Sequence, residues 1–267
     1  MALSFNPLTN KFDISSTSGE IDHNSTLNLT TGDYHTQYLL LAGRSPYQSL
    51  AGSIYFQESL TLPKTSGYGI KIDTTTPTFG WRDILGEIKI LSPGANDPTL
   101  AVFRDGLRQF SFSNAVMNEV FLTYHIPHDY LAASHLFLHV HWAQNVVDTG
   151  GTAGVPGDAK WQFEVSYAKG HNQAAFPASF TTSLVSTASS VQYQHLIPEL
   201  QLSATAPSAT QIDSDILEPD GVILVRAFRD PTDVADTLDQ VPFLHYIDLH
   251  YQSTNIATKQ KSPNFYL

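Results

Sequence analysis

The sequence predicts an all-β protein: an N-terminal extended arm, a hairpin-rich stem, and a C-terminal antiparallel β-sandwich of jelly-roll type. Three observations predict it. Charged residues make up only 15% of the 267, against ~25% in ordinary globular chains. Ser, Thr, Asn and Gln fill the deficit, whereas exposed helices are normally clothed in Glu and Lys. Apolar residues in the C-terminal half recur at every second position, the period of a half-buried strand, and Gly, Pro, Asn and Asp punctuate the intervals.

Residues 1–55 form the arm. Its stretch Ser15–Thr31 is polar and short of aromatic residues, so it buries too little apolar surface to offset its own ordering entropy. Residues 56–110 form the stem. In its segment YGIKIDT, Tyr68, Ile70 and Ile72 share one strand face while Gly69, Lys71 and Asp73 share the other. A second stem strand is expected in GEIKIL, residues 86–91.

Residues 111–267 form the sandwich head. The expected strands are Glu119–Ile126, Leu136–Trp142, Lys160–Ala168, Ser190–Ile197, Val222–Phe228 and Phe243–Tyr251. In the third, Trp161, Phe163, Val165 and Tyr167 alternate with Lys160, Gln162, Glu164 and Ser166. In the last, Phe243, His245, Ile247 and Leu249 oppose Leu244, Tyr246, Asp248 and His250. Ala115–Leu122 is the one short helical candidate. Sheets of short strands at this spacing are the material of a jelly roll.

Composition narrows the function. A net charge of −11 has the wrong sign for phosphate neutralisation, so no nucleic-acid partner is expected. The absence of cysteine removes disulfides, thiolate zinc sites and thiol catalysis together. No apolar run approaches the ~18 residues of a membrane helix. Met1–Pro7 carries no signal-peptide pattern, and the expectation is a soluble product of a cytoplasm.

The strongest chemical pattern is His139-Val140-His141. Residues i and i+2 of a strand point to one face, so both imidazoles can meet one metal ion. Asp248 and His250, or His125 and His128, offer further ligands. A jelly roll with such a strand resembles the metal-binding cupins. That family has a Glu a few residues after the second His, where this chain reads Trp142-Ala143-Gln144-Asn145. The histidines are therefore read first as packing groups, then as holders of a structural metal ion. No other cofactor is expected. No G-x-S-x-G elbow or phosphate loop is present. Glu218/Asp220 and Asp230/Asp233/Asp236 read as solvated loop charges, Arg226 and Arg229 as neighbours of Asp230, and the chain as not an enzyme.

Two resemblances place these features. Thr30 to Leu39, with Gly32, Asp33, Tyr34, His35 and Tyr38, resembles a motif near the N-termini of many phage tail-fibre proteins. The segments containing Trp81-Arg82-Asp83, His139 to Trp142, and Ile247 to Gln252 are similar to a group of phage virion structural proteins. The resemblance implies a virion location and a non-enzymatic homotrimer: a tail fibre or spike anchored by its arm to other virion proteins. The head would serve host attachment, with a cell-surface glycan as partner. Gly32 to Tyr38 would then serve anchoring, and Trp81, Arg82, Asp83 and Trp142 would be structural. The alternatives are a capsid decoration protein and, further off, a cupin-like metal enzyme or glycan depolymerase.

Overall fold

The computed structural model describes residues 2–6, 8, 11–15, 79–91, 94–148 and 155–266. The tail-fibre-like motif from Gly32 to Tyr38 and the stem strand Tyr68–Thr74 lie outside the described residues. The chain divides into two compact units, Met1–Thr61 and Leu62–Leu267. In the first, β1 (Ala2–Asn6) and β2 (Lys11–Ser15) form an antiparallel hairpin with Ala2 opposite Ser15.

The second unit is built of strands. In chain order they are β3 (Gly80–Leu85), β4 (Thr99–Arg104), β5 (Leu107–Ser111), β6 (Asn118–His125), β7 (Phe137–Gln144), β8 (Asp158–Ala168) and β9 (Phe180–Thr187). There follow β10 (Glu199–Gln201), β11 (Ser203–Ala204), β12 (Ile212–Asp213), β13 (Val222–Arg229) and β14 (Pro242–Ser253). A six-stranded antiparallel sheet runs β10-β7-β14-β5-β4, with β3 also on β14. The 12-residue β14 has room for both neighbours: Phe243 and Leu244 pair with β5, and Asp248 to Ser253 pair with β3. A four-stranded antiparallel sheet runs β6-β13-β8-β9, and β11 and β12 form a small parallel pair.

Alternation gives both sheets one shared core. Val120, Leu122 and Tyr124 of β6, Trp161, Phe163 and Val165 of β8, and Ile223 and Val225 of β13 are buried with Leu138, Val140 and Trp142 of β7. The indoles of Trp142 and Trp161 meet edge to face at 6.2 Å across the sheets. Each such ring removes roughly 150–250 Å² from water, which at ~25 cal/mol/Å² is on the order of 4–6 kcal/mol before entropy is subtracted. The Trp142 indole N–H donates to Ser186 Oγ at 3.1 Å, so the burial leaves its polar handle satisfied.

Several expectations need correction. The helix over Ala115–Leu122 does not form; its second half is β6, whose Val120, Leu122 and Tyr124 are buried at period two. The expected strand Ser190–Ile197 is a loop. Tyr193 sits at φ 62°, where an L-residue cannot extend a strand, and only Leu196 bridges to Trp142. The strand in that region is β9. The segment after Gly86 contributes a single bridge, Lys89 to Phe121, while the strand proper is β3 just before it. The β4–β5 hairpin turns at Asp105-Gly106, with Asp105 at φ 52° as such a turn requires. In β14 a bulge between Leu244 and Tyr246 resets the alternation, so Leu244 faces the core together with Ile247 and Leu249.

The expected loop acids are anchors rather than solvated charges. Arg229, fully buried, reaches past Asp230 to Asp236: its Nε donates to Oδ2 at 2.8 Å and Nη2 to Oδ1 at 2.7 Å. Nη1 and Nη2 also donate to the carbonyls of Ser113 and Leu238. Asp220 is met by three imidazoles. Its Oδ1 lies 3.1 Å from His125 Nε2 and 3.2 Å from His128 Nε2, and its Oδ2 lies 2.8 Å from His171 Nε2. His128 bonds Thr258 in turn, so this carboxylate ties the ends of β6, β8 and the C-terminal segment to the turn before β13. The hydrogen bond from His171, then that from His125 and the charges of His128 and His125, hold the Asp220 carboxyl below the usual carboxylate range.

Two outcomes follow from these anchors. Arg229→Met strands a buried Asp236 and lowers the unfolding free energy by ~3–5 kcal/mol, read as a fall in the urea midpoint; Arg229→Met with Asp236→Leu recovers most of it. Because the Asp220 pKa is depressed on folding, its contribution is complete above the unfolded carboxylate value of ~4 and fades as pH falls through the lower folded value. Asp220→Asn is therefore less stable than the parent by ~1–3 kcal/mol at neutral pH. Urea titrations at descending pH show that gap closing below about pH 4; a gap constant down to pH 2 would refute the ionic origin.

Candidate metal centre

The core-facing residues of β7 and β14 dictate what stands on the other side of the six-stranded sheet. With Leu138, Val140 and Trp142 turned inward, His139 and His141 face outward. With Ile247 and Leu249 inward, Tyr246, Asp248 and His250 face outward on the adjacent strand. Register then aligns them. Glu199, His139, Asp248 and Leu85 form one rung across β10, β7, β14 and β3. The next rung carries Gln201, Phe137, His250 and Asp83, and on the other side of His139 the pair His141–Tyr246.

His139, His141 and Asp248 bring one ligand atom each to within 4.8 Å of the others, a cluster able to hold a metal ion. His141 Nε2 stands 3.3 Å from Asp248 Oδ1, and His139 Nδ1 stands 3.9 Å from the same oxygen. Two ligands at ~2.1 Å from a tetrahedral ion are about 3.4 Å apart; the His141–Asp248 pair is near that spacing and the His139–Asp248 pair is wider. The site lies deep: the side chains are 12%, 8% and 3% exposed for His139, His141 and Asp248.

The imidazoles are oriented from behind. His139 Nε2 lies 2.7 Å from Glu199 Oε2, so its N–H is directed to that carboxylate and Nδ1 is turned toward Asp248. His141 Nδ1 lies 2.9 Å from His195 Nε2, and its ring stacks on Tyr246 at 3.9 Å between centroids. Histidines that bind metal commonly give their other nitrogen to such a partner, which fixes tautomer and ring plane. Burial is the main influence holding the His141 imidazole below its ordinary pKa; His195 and His139 add to it, against the pull of Asp248. That direction favours the neutral ring, the form that ligates.

His141 Nε2 and Asp248 Oδ1 are buried and have no hydrogen-bond partner outside the cluster, facing each other at 3.3 Å. A buried unsatisfied polar atom costs ~1–3 kcal/mol, and here two of them point at one place.

The expected site residues fall into distinct places. His139, His141, Asp248 and His250 come together, whereas His125 and His128 are engaged by Asp220 elsewhere. Asp83 adjoins His250 by an ion pair, and Trp81, half exposed, stacks on His250 at 6.4 Å. Arg82 turns away to Asp129 at 2.9 Å, and Trp142 lies in the core. The carboxylate missing after His141 is supplied across the ladder by Asp248. Glu199, His195 and Tyr246 were not legible as site residues. Glu199 is 60 positions from its partner His139 and no local spacing signals the contact.

No protein-family model and no curated protein matches this chain. Among solved structures, TmCBM61 in complex with β-1,4-galactotriose superposes with a TM-score of 0.26 and 11% identity, covering 64% of this chain and 88% of that one. A family 11 carbohydrate-binding module from Clostridium thermocellum, in complex with a β-1,3-1,4-mixed-linked tetrasaccharide, gives 0.27 and 13%, covering 67% and 92%. Superpositions this loose carry no argument about ligand or activity.

The expectation of a purely non-enzymatic role does not stand. The cluster of His139, His141 and Asp248 overturns it, and with it the exclusion of an enzyme, because two imidazoles and one carboxylate leave coordination positions for a substrate.

Proposed function

We propose that this chain is a metal-dependent enzyme on a jelly-roll-like β-sandwich, with His139, His141 and Asp248 holding a divalent ion of the zinc class and an oxygen-rich substrate, a glycan, as its target. The observation that carries the reading is the pair of buried ligand atoms, His141 Nε2 and Asp248 Oδ1, which have no hydrogen-bond partner outside the cluster. Two imidazoles with a carboxylate are a zinc donor set of the catalytic kind, in which a position is left open.

Each neighbouring residue has a role in this reading. Glu199 and His195 keep the two imidazoles in their ligating tautomers. Tyr246 fixes the plane of His141 from below. Trp81 offers an exposed flat face beside His250, suited to stacking a sugar ring, and the half-exposed carboxylate of Asp83 accepts from hydroxyl groups. The ion supplies Lewis acidity to a substrate oxygen.

Zinc at ~100 times its dissociation constant stabilises the fold by ~2.7 kcal/mol, which for a domain of this size raises Tm by roughly 5–10 °C. His141→Ala and Asp248→Asn each abolish that rise, measured against the same variant without metal, because each substitution leaves the other ligand atom buried and lowers the metal-free melting temperature as well. Differential scanning calorimetry with and without zinc reads both effects, and metal analysis gives the bound content. Soluble polysaccharides shorten in the presence of the zinc-loaded parent and not of the variants. A parent protein that binds no divalent ion refutes the reading outright.

A further inference from the structure

Asp248 has two oxygens, and they face two different sets of ligands. Oδ1 stands near His139 and His141, as described; Oδ2 stands 3.7 Å from His250 Nε2. His250 Nε2 is also paired with Asp83 Oδ1, and the ligand atoms of Asp83, Asp248 and His250 all lie within 4.8 Å of one another. A second three-ligand group thus shares one residue with the first. The shared residue is the most buried of them, at 3% side-chain exposure.

We propose that the centre is dinuclear, with Asp248 bridging an inner ion on His139 and His141 and an outer ion on His250 and Asp83. The inference rests on the metal reading above and extends it. A bridging carboxylate spans ions ~3.5–4 Å apart, the separation at which two metals clamp the same substrate oxygen or its attacking partner. The fold brings this about by register alone. Asp248 and His250 are two apart on β14, hence on one face, and Asp83 on β3 lies directly opposite His250. The imidazoles of His139 and His250 lie 3.8 Å apart between centroids, so the two ligand groups adjoin.

The outer position differs from the inner one in exposure. His250 is 26% and Asp83 51% exposed, against 12% and 8% for His139 and His141. Solvent reaches the outer ion readily, and Trp81 stacked on His250 flanks it. The outer ion is therefore the weaker-bound and the one next to the substrate surface.

The test is a zinc titration of the full chain by calorimetry, with bound metal counted after gel filtration and folding checked by circular dichroism. The parent binds two equivalents, the second at least tenfold more weakly. Asp83→Asn with His250→Gln keeps the tight equivalent and loses the weak one. In copper-loaded parent protein, paramagnetic resonance shows dipolar coupling between two ions, absent from that variant. One equivalent in the parent overturns the dinuclear proposal and leaves the inner site standing; none overturns both. Two equivalents surviving in the Asp83/His250 variant overturn it as well, because the second ion would then lie elsewhere.

Discussion

The antiparallel ladder between β7 and β14 is the constraint on which the rest depends. Its inward residues, Leu138, Val140 and Trp142 with Ile247 and Leu249, are held by the core they share with the facing sheet. A one-residue slip would turn every one of them to the opposite face. The hydrophobic effect therefore fixes the register, and the register in turn sets His139 opposite Asp248 and His141 opposite Tyr246. The ligands are placed by residues on the other side of the sheet that have no chemistry of their own.

That arrangement also explains how polar groups come to be buried on an outer face. His141 is covered by Tyr246, by His195 from the loop between β9 and β10, and by its own sheet. The loop is anchored from β7 itself, since the Gln144 side chain bonds the Ser189 backbone and Tyr193 N–H donates to the Gln144 carbonyl. A cover over a polar rung raises the cost of leaving its atoms unpaired, as at His141 Nε2 and Asp248 Oδ1. At Arg229 and Asp236, by contrast, buried charge is fully satisfied. Under the proposed reading, the cluster is a place where stability is given up to a ligand.

The bulge in β14 has a particular consequence. Without the reset between Leu244 and Tyr246, residues 246, 248 and 250 would share a face with Leu244, and that face would have to serve both as core and as polar site. The extra residue lets Leu244 stay inward while Tyr246, Asp248 and His250 look out. His245, the odd residue at this point, is left beside Phe103 and His195, where burial, then His195 and His141, keep its imidazole below its ordinary pKa.

By itself the sequence determined the all-β class, most of the strands with clear alternation, and the pairing of His139 with His141 on one face, because period two is a local property of the chain. It also marked Asp248 and His250 as ligand candidates through the same i, i+2 rule. It did not reveal β9 or the hairpin β4–β5, and it set a strand at Ser190–Ile197 where Tyr193 turns the chain. Which strands lie side by side, and in what register, was decided only in three dimensions. Glu199, His195, Tyr246 and Asp83 became neighbours of the histidines through pairings set by core packing over separations of tens of residues. Alternation says which face a side chain takes; only the assembled sheet says who stands opposite.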